Sequence, residues 1–550
     1  MKKKIFYTVI MFFIAFNIFA QTYDSTTLNN NNITSNLSLN SSIRYIIKGF
    51  VYIKSPATIT IPAGTVLYGD KATTGTLIIE RGAKINAVGT VSQPIIFTSR
   101  IAPGLRGPGD WGGIIMLGRA TINTVSGADT AAIEGLPPTT SPAYYGGHDD
   151  NDNSGIMQYV RIEFPGINLT GVSGNEINGL TMGGVGKGTT LDHIQVSFSG
   201  DDSFEWFGGT VNCKYFIAYK GVDDDFDTDN GFRGRCQFFL GIRDSNIADV
   251  SGSNGFESDN NADSPINWNA PRTAPIFSNV TFIGPLRVLT TPINSNFKRC
   301  EHIRRRSKMN CFNSIYMGYP VGVRFDGTGV ANAFLGDSMA IKNIIFAGMT
   351  TLADTVSMSG NGFNGINFLN TASFQNRVLT NNTEVMLTNP YGYENGSSAN
   401  WMPLAGSPAL TGSNWTWPLL SDPYFTTTTF VGAFGTTNWA AGWTQFNPVN
   451  YMIGINQIST EVPDNYSLKQ NYPNPFNPTT KIKFDIAKSG FVTLKVYDAS
   501  GKEVENLVSQ NLTTGSYEYE FNGSNLTSGI YFYTLKTNNF SDTRKMVLVK

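Results

Sequence analysis

Eight carboxylates lie close together in one short part of the sequence, residues 201–236, which reads DDSFEWFGGTVNCKYFIAYKGVDDDFDTDNGFRGRC. Carboxylates are the preferred protein ligands of calcium, and pairs of them serve as acid and base in glycoside hydrolysis. The same stretch contains two Gly-rich turns and two cysteines. It therefore fits three alternatives: a catalytic centre, a cation site, or one architectural unit written twice.

The stretch is part of an internal repeat. Residues 191–209, LDHIQVSFSGDDSFEWFGG, align with residues 213–231, CKYFIAYKGVDDDFDTDNG, at an offset of 22. A third segment, CQFFLGIRDS, follows at an offset of 23 and places Cys236 on Cys213. Alternating apolar residues followed by a Gly/Asp-rich turn, at this period, are typical of a solenoid in which each copy is one coil.

Further coils extend the pattern along the chain. The segments ATITIPAGTVLYGD (57–70) and TLIIERGAKINAVGTVSQPIIFTS (76–99) combine alternating apolar residues with tight turns. Asn279, Asn313 and Asn343 each precede an apolar run and are predicted to stack as a ladder of side-chain amides. One coil cannot bury its apolar face, whereas stacked coils form a continuous core. The sequence predicts an all-β protein, a right-handed parallel β-helix followed by a small antiparallel β-sandwich.

Stacking would bring equivalent carboxylates within about one strand spacing, ~4.8 Å. Adjacent carboxylates repel unless a cation or a donor lies between them. DFDTDNG (225–231) is not an EF-hand, because its Gly and its twelfth residue, Cys236, are misplaced. Calcium in another geometry and solvated turns, in which Asp bonds its own backbone, both remain open. The candidate calcium ligands are Asp201, Asp202, Asp223, Asp224, Asp225 and Asp227.

Catalysis on acidic glycans is a further alternative. Pectate lyases are β-helices that combine calcium carboxylates with an Arg or Lys base, and Lys220 and Arg233 lie among the acidic coils with Asp223 and Asp224. A hydrolase would instead use a pair of carboxylates. The chain has three histidines and neither a Ser/His/Asp arrangement nor an HExxH motif. Esterase and metalloprotease activities therefore find no support.

Two other features suit carbohydrate. The basic run KRCEHIRRRSKMNC (298–311) contains Arg304, Arg305 and Arg306, whose guanidinium groups match the carboxylates or sulfates of acidic glycans, although a solvated face explains it equally. Trp206 is a candidate for stacking on a sugar ring. The aromatic segment 415–425 is predicted to cap the last coil.

Four cysteines permit two disulfides. Cys213 and Cys236 occupy equivalent places in successive coils, where stacked strands bring Cα atoms within bridging range. Cys300 and Cys311 are near enough in sequence to close a small loop. We expect the pairs Cys213–Cys236 and Cys300–Cys311; if the first pair faces the core, an unoxidised ladder is the alternative.

Composition and the N-terminal residues limit the partners and the location. The 40 basic and 41 acidic residues nearly cancel, so there is no net field to attract nucleic acid. Three lysines (2–4) precede an apolar run (5–19) and a small residue, Ala20, which is the pattern of a signal peptide. No later stretch has the length of a membrane-spanning helix. We expect an exported chain without a membrane span after processing.

Two resemblances add to this interpretation. SGIMQYVRIEFPG (154–166) and FVGAFGTTNWAAGWTQFNP (430–448) resemble segments of a group of exported β-helix proteins of Bacteroidetes-type bacteria, which implies the fold but no activity. NYPNPFNPTTKIKFDI (471–486) and the ending LTSGIYFYTLKTNNFSDTRKMVLVK (526–550) resemble the type A sorting domain of the type IX secretion system. That family implies recognition by the secretion machinery, passage across the periplasm and outer membrane, and attachment to surface lipopolysaccharide.

These observations together predict the domain organisation and the function. We expect a signal peptide (1–20), a β-helix with a C-terminal cap (21–451), a linker (452–466) and a sorting domain (467–550). The protein is expected outside the cell or on the outer face of the outer membrane. The leading hypothesis is carbohydrate binding or adhesion, assisted by calcium. The alternatives are a polysaccharide lyase or glycoside hydrolase and a purely structural surface protein.

Overall fold

A computed structural model describes most of the chain after residue 24. Its described residues form two compact units, divided after Tyr451. The predicted signal peptide, residues 1–20, lies outside the described residues. The described ranges are 25–29, 32–41, 43–136, 143–169, 176–261, 265–336, 339–357, 362–395, 399–451, 455–459, 461–512, 514–523 and 526–550.

The first unit is built from two long sheets of parallel strands, to which successive coils contribute. Sheet 1 has fifteen strands: Ser25–Leu28, Leu37–Ser38, Arg44–Ile47, Thr58–Pro62, Val66–Gly69, Lys84–Val88, Ile95–Ser99, Gly155–Glu163, Thr190–Ser197, Asn212–Tyr219, Arg235–Ile242, Ile276–Ile283, Asn310–Met317, Ile341–Ala347 and Arg377–Leu379. Sheet 2 has ten strands: Phe50–Ile53, Thr76–Ile79, Gly113–Leu117, Leu180–Gly183, Phe204–Phe207, Phe226–Asp229, Asn254–Ser258, Arg299–Ile303, Val321–Asp326 and Thr351–Val356.

The register of these sheets confirms the predicted coils. Ile194 pairs with Phe216, and Glu205 pairs with Asp227, both at the predicted offset of 22. Cys213 pairs with Cys236 at the offset of 23. The unit is therefore a right-handed parallel β-helix, in which residues one period apart are neighbours along the axis.

Large aromatic side chains fill the interior where the acidic coils stack. The ring centroids of Phe204 and Phe216 lie 4.7 Å apart, and those of Phe216 and Phe239 lie 5.0 Å apart. Trp206 stacks on Phe232 at 5.2 Å and is completely buried. Each such ring adds a large buried apolar area to the core. The packing fixes which residues of each strand face outward.

The strands of sheet 1 bend at one position in seven successive coils. The residue at the bend has a left-handed backbone, with φ between 49° and 64°. The first four side chains are rings, and His193 lies between Tyr159 and Tyr215 at centroid distances of 4.4 and 4.3 Å. Asn343 Nδ2 then donates to Asn313 Oδ1 at 2.7 Å, which confirms the predicted amide ladder for these two residues, whereas Asn279 Nδ2 donates to Phe430 O and Gly432 O. The seven residues are Tyr159, His193, Tyr215, Phe238, Asn279, Asn313 and Asn343.

The sequence analysis predicted that the aromatic segment 415–425 caps the last coil, and this prediction is wrong. Residues 409–451 instead run back along the outside of sheet 1 towards the first coils. Asn414 is bonded to Asn313, Thr426 to Gln237, and Gln445 to Gln195, each of which belongs to an earlier coil. The reason is that this outer face of sheet 1 is itself apolar and requires cover.

Helices and short ladders complete the first unit. The α-helices are Thr328–Leu335 and Gly365–Leu369. The 3-10 helices are Lys71–Thr73, Ala372–Phe374, Asn382–Val385, Gly392–Asn395 and Pro418–Leu420. Three antiparallel pairs join Ala131–Ala132 to Tyr144–Tyr145, Ile167–Asn168 to Glu176–Ile177, and Leu387–Asn389 to Asn400–Pro403.

The second unit consists of two four-stranded antiparallel sheets with a shared apolar core. One sheet contains Ile455–Ser459, Ser467–Leu468, Thr479–Ile486 and Gly515–Asn522. The other contains Gly490–Asp498, Glu503–Leu512, Gly529–Lys536 and Ser541–Leu548. Alternation in KIKFDI and YFYTLK predicted this small sandwich. The predicted linker, 452–466, is not irregular throughout, because Ile455–Ser459 pairs with Gly515–Asn522.

Candidate functional site

One line of side chains runs along the outer face of sheet 2 and changes chemistry as it goes. Because Phe204 and Trp206 face the core, the residue between them, Glu205, faces outward. Its register partners form a continuous series, which we call the central row. The central row consists of Thr181, Glu205, Asp227, Glu257, His302, Arg324 and Asp354.

In the earlier coils the same line is apolar. Tyr52, Ile78 and Ile115 occupy it and pack under residues Ile122, Ile133 and Tyr145 of a covering loop. The polar central row begins at Thr181, which is the register partner of Ile115. A loop thus covers this line in the apolar coils, and the polar residues of the line begin at Thr181.

Two groups of carboxylates gather at the acidic end of the row. Oxygens of Asp202, Glu205 and Asp227 lie within 4.8 Å of one another, as do those of Asp201, Asp202 and Asp223. Burial and the neighbouring carboxylates raise the pKa of Asp202, Glu205 and Asp227 well above the ordinary range. Ionising all of them together requires a compensating positive charge.

Two of the acidic side chains also have a structural task. Asp202 Oδ1 accepts the backbone N–H of Asp224 at 2.8 Å, and Asp224 Oδ1 accepts the backbone N–H of Asn254. Each carboxylate therefore holds the next coil in register. Replacing either one would disturb the fold as well as any site, so Glu205 and Asp227 are the better positions at which to test function.

Two buried side chains beside this acidic group have an oxygen atom without a hydrogen-bond partner. Asn178, 1% exposed, contacts Glu205 through its Nδ2, while its Oδ1 has no hydrogen-bond partner. The hydroxyl of Thr181, 2% exposed and beside Glu205 in register, is also without a partner. Calcium takes six to eight oxygens from carboxylates, amides, hydroxyls and water. Asp202, Glu205, Asp227, Asn178 and Thr181 fit that donor set.

The next part of the central row is basic. His302 Nδ1 lies 3.1 Å from Glu257 Oε2, and Arg304 contacts Glu257 and donates from Nε to Asp259 at 2.7 Å. Burial raises the pKa of the Glu257 carboxyl, but Arg304 and His302 outweigh it and hold that pKa below its ordinary value. Arg305 Nη1 also donates to Asp259, at 2.9 Å. Neighbouring carboxylates of one row thus have opposite pKa shifts.

The structure does not bring the predicted bases to the acidic residues they were to assist. Lys220 pairs with Asp244 at 2.9 Å and lies over aromatic rings that include Tyr393. Arg233 pairs with Asp150 at 3.1 Å. Within the described residues, both predicted bases thus form ion pairs with carboxylates other than Asp223 and Asp224.

Two predicted site residues are part of the interior. Asp225 is fully buried, with its Oδ1 3.3 Å from Nε of the equally buried Arg243, so it is not available as a surface ligand. Trp206 belongs to the aromatic stack and cannot reach a glycan. Alternation in FEWF already indicates its direction, because Glu205 must point the other way.

The structure contains neither predicted disulfide, since all four cysteines are free and buried. Cys213 and Cys236 are register partners as predicted, but both face the core. Burial raises the pKa of the Cys236 thiol, which keeps it in the less reactive protonated form. Cys300 and Cys311 belong to strands of different sheets, so nearness in sequence did not indicate a pair.

Of the predicted carbohydrate-binding arginines, Arg304 pairs with Glu257 of the row, and Arg305 pairs with Asp259 beside it. Arg306 instead lies over the ring of Trp268, with Cζ 3.9 Å from the ring centroid. Trp268 is 71% exposed and was missed by the sequence analysis. It stands in a loop outside the repeats, where no alternation indicates direction, and its exposure is the signal that identifies it.

Comparison with known proteins agrees with the two units. Residues 31–444 match a family model described as a pectate-lyase-like β-helix domain. Residues 470–550 match a secretion system C-terminal sorting domain. No curated protein matches the sequence. The chain therefore belongs to the pectate-lyase-like β-helix family and carries a type IX secretion sorting domain.

Two solved structures show some similarity. Full-length tailspike protein 2 (TSP2, ORF211) from Escherichia coli O157:H7 bacteriophage CAB120 has 11% identity and a TM-score of 0.20, over 92% of this chain and 64% of that one. The Dettilon tailspike protein (gp208) has 10% identity and a TM-score of 0.19, over 88% of this chain and 87% of that one. TM-scores this low carry no argument about function.

The sorting domain makes this a secreted protein that engages the type IX machinery. Among the described residues, no helix is long and apolar enough to cross a membrane.

Proposed function

We propose that this secreted protein binds polysaccharide along the outer face of sheet 2, and that calcium at the acidic end of the central row assists the binding. The proposal rests on the carboxylate oxygens of Asp202, Glu205 and Asp227, which lie within 4.8 Å of one another. Two buried carboxylates and one half-buried carboxylate at that separation favour a divalent cation, and a bound cation offers open coordination positions to sugar hydroxyls.

The architecture supports an extended ligand. A parallel β-helix presents its side chains in straight rows, so polar groups recur at about 4.8 Å along the axis. The central row extends over seven coils, from Thr181 to Asp354. A polymer can therefore contact several coils at once through the half-buried members of the row, which are Asp227, Glu257, Arg324 and Asp354, and this raises affinity without any single strong contact.

Calcium titration of the purified protein tests the cation part of the proposal. Wild-type protein should bind calcium, and the double variant Glu205→Gln/Asp227→Asn should lose that binding, because two of its three carboxylate ligands become neutral. Asp542→Asn, which neutralises a half-buried carboxylate of the second unit, is the matched control. Equal calcium affinity in wild type and double variant would refute the site.

A glycan array, probed with calcium or with a chelator, tests the binding part. We expect retention on a subset of polysaccharides in calcium and weaker retention in chelator. Retention on no glycan in either condition would remove the proposed function and leave a purely structural role.

A glycoside hydrolase is the second candidate, supported by the opposite pKa shifts of two adjacent carboxyl groups. Burial raises the pKa of Asp227, whereas Glu257, its register partner, has a lowered pKa. Such pairs divide the roles of general acid and carboxylate, and a retaining mechanism requires the two carboxyl groups to lie about 5 Å apart. Product release from a polysaccharide panel, lost in Glu257→Gln with calcium affinity unchanged, would favour it over binding alone.

Surface attachment belongs to the same proposal. The sorting-domain family implies removal of the C-terminal domain and linkage of the passenger to lipopolysaccharide. Mass spectrometry of the protein recovered from the cell surface should find a C-terminus near residues 452–466 with an attached glycolipid. An intact C-terminus at Lys550 on surface protein would contradict this part.

A further inference from the structure

Trp268 is an exposed aromatic residue on a rigid loop. Its neighbours Asn267 and Asn269 are both tied down, since Asn267 N donates to Asn261 Oδ1 at 2.7 Å and Asn269 Nδ2 donates to Thr124 O at 2.8 Å. The hydrogen bonds of both neighbours therefore hold the exposed ring of Trp268 in place.

Three buried asparagines explain the rigidity of this loop. Asn123 Nδ2 donates to Asn260 Oδ1 at 3.0 Å, and Asn267 Nδ2 donates to Asn123 Oδ1 at 3.0 Å. Asn260 Nδ2 closes the network by donating to the backbone oxygen of Asn267 at 2.8 Å. The network fixes the position of Trp268 before any ligand arrives, which lowers the entropic cost of binding.

Arg306 is held against Trp268 by its backbone and by a close helix. Arg305 and Arg306 both have left-handed φ values, 45° and 68°, which residues with a side chain rarely adopt. Arg306 Nη1 donates to Asn267 O at 2.9 Å. A Cβ on Gly329 would lie 2.5 Å from Arg306 Cγ, so this helix position leaves room for the arginine side chain.

Positive charge accumulates around this pair without neutralisation. Arg272 Nε donates to the backbone oxygen of Arg306 at 2.9 Å. Burial and the charge of Arg306 lower the pKa of Arg272 to about 10, and burial and Arg272 lower the pKa of Lys308. Within the described residues no carboxylate forms an ion pair with Arg272, Arg306 or Lys308, unlike Arg304 and Arg305. An anion would relieve this repulsion.

We propose that Trp268, Arg306, Arg272 and Lys308 form a subsite for an anionic sugar, a uronate or a sulfated pyranose. Arg306 covers one face of the indole, and the 71% exposure leaves the ring accessible to the apolar face of a pyranose. The guanidinium groups are suited to the planar carboxylate or the sulfate of the same sugar. This inference rests on the proposed function, since it names the class of polysaccharide that the protein takes.

Binding to matched pairs of polymers tests the inference on the full-length protein. Polygalacturonate is compared with its methyl ester, and dextran sulfate with unmodified dextran, by affinity electrophoresis or calorimetry. Wild-type protein should prefer at least one anionic polymer over its neutral counterpart by about tenfold or more. Preference for polygalacturonate would indicate a uronate ligand, and preference for dextran sulfate would indicate a sulfated sugar.

Four variants locate the effect. Trp268→Ala and Arg306→Gln should each weaken binding of the anionic polymer about tenfold, and Arg306→Gln should also reduce the preference for anion over neutral polymer. Tyr472→Ala and Arg544→Gln, which remove an exposed aromatic and an exposed arginine of the second unit, should have no effect. Thermal melting of every variant verifies that folding is intact.

The possible failures are distinguishable. If the protein binds polysaccharide with no preference for anionic polymers, or if Trp268→Ala and Arg306→Gln behave like the two controls, the subsite is wrong and the proposed function stands. If no polysaccharide binds in any arm, with or without calcium, the proposed function fails and the subsite fails with it.

Discussion

At the scale of single residues, the interior of the solenoid contains a charged pair in place of an apolar contact. Arg243 and Asp225 are both fully buried, and Arg243 Nη1 also donates to the backbone oxygen of Gly221 at 3.0 Å. Burial raises the pKa of Asp225 to about 7, and Arg243 opposes that rise. Each member of the pair is tolerated in the core only because the other is present.

We predict that Arg243→Met lowers the free energy of unfolding by about 3–5 kcal/mol, because Asp225 is left buried without its partner. Denaturant unfolding at neutral pH measures the change. The double variant Asp225→Leu/Arg243→Met should lose clearly less, since no uncompensated charge remains. A double variant as unstable as Arg243→Met alone would show that packing, and not charge, is the important contribution.

At the scale of elements, the ladder at the bend of sheet 1 combines backbone strain with hydrogen bonds. Asn313 has a φ of 49°. Its Oδ1 accepts hydrogen bonds from Asn343 Nδ2 at 2.7 Å and from Asn414 N at 2.9 Å. Asparagine tolerates the left-handed region better than most residues, which explains its recurrence here. The bend joins two coils to the returning segment 409–451.

We predict that Asn313→Gly lowers the free energy of unfolding by about 1–2 kcal/mol through lost hydrogen bonds, and that Asn313→Val lowers it by more. Glycine adopts the required φ without strain, whereas a β-branched residue does not. Urea unfolding of the two variants separates the contributions. Equal losses would mean that backbone conformation contributes nothing at this position.

The sequence indicated the elements that repeat and missed those that do not. Offsets of 22 and 23 residues predicted that Glu205 lies on Asp227 and Cys213 on Cys236, because a solenoid converts sequence period into spatial neighbourhood. Segment 409–451 has no sequence period. Its path along sheet 1 is set by contacts with residues of earlier coils, such as Gln237, and no local sequence pattern indicates these contacts. Trp268 was missed for the same reason.

Direction within a coil was only partly predictable. In FEWF the alternation places Glu205 outside and Trp206 inside, as the structure shows. Asp224 and Asp225 are consecutive acids at the corner before the next strand of sheet 2. Asp224 accepts a hydrogen bond from Asn254 of the following coil, whereas Asp225 points into the core beside Arg243. A corner has no alternation, so adjacent residues of the same type take opposite roles.

At the scale of the whole molecule, we expect the stacked carboxylates to make stability depend on pH and, through the proposed site, on calcium. The pKa values of Asp202, Glu205 and Asp227 are raised in the folded state, and burial raises that of Asp223 to about 7. A carboxyl group whose pKa is raised by folding stabilises the folded state fully at pH values below its unfolded pKa, about 4. This stabilisation is lost as the pH rises through the pKa of the folded state. The pKa of Glu257 is shifted in the opposite direction, so its contribution to stability changes with pH only below about pH 5.

We therefore predict that the calcium-free protein melts at a lower temperature at pH 8 than at pH 5, and that calcium raises the melting temperature more at pH 8. Calcium binds the ionised carboxylates of the folded state, so it restores what ionisation removes. Scanning calorimetry in chelator and in calcium at the two pH values measures both effects. Glu205→Gln/Asp227→Asn should melt higher than wild type in chelator at pH 8 and should respond little to calcium, because two of the repelling charges are gone. A calcium effect of the same size at pH 5 and pH 8 would mean that these stacked carboxylates do not bind the ion.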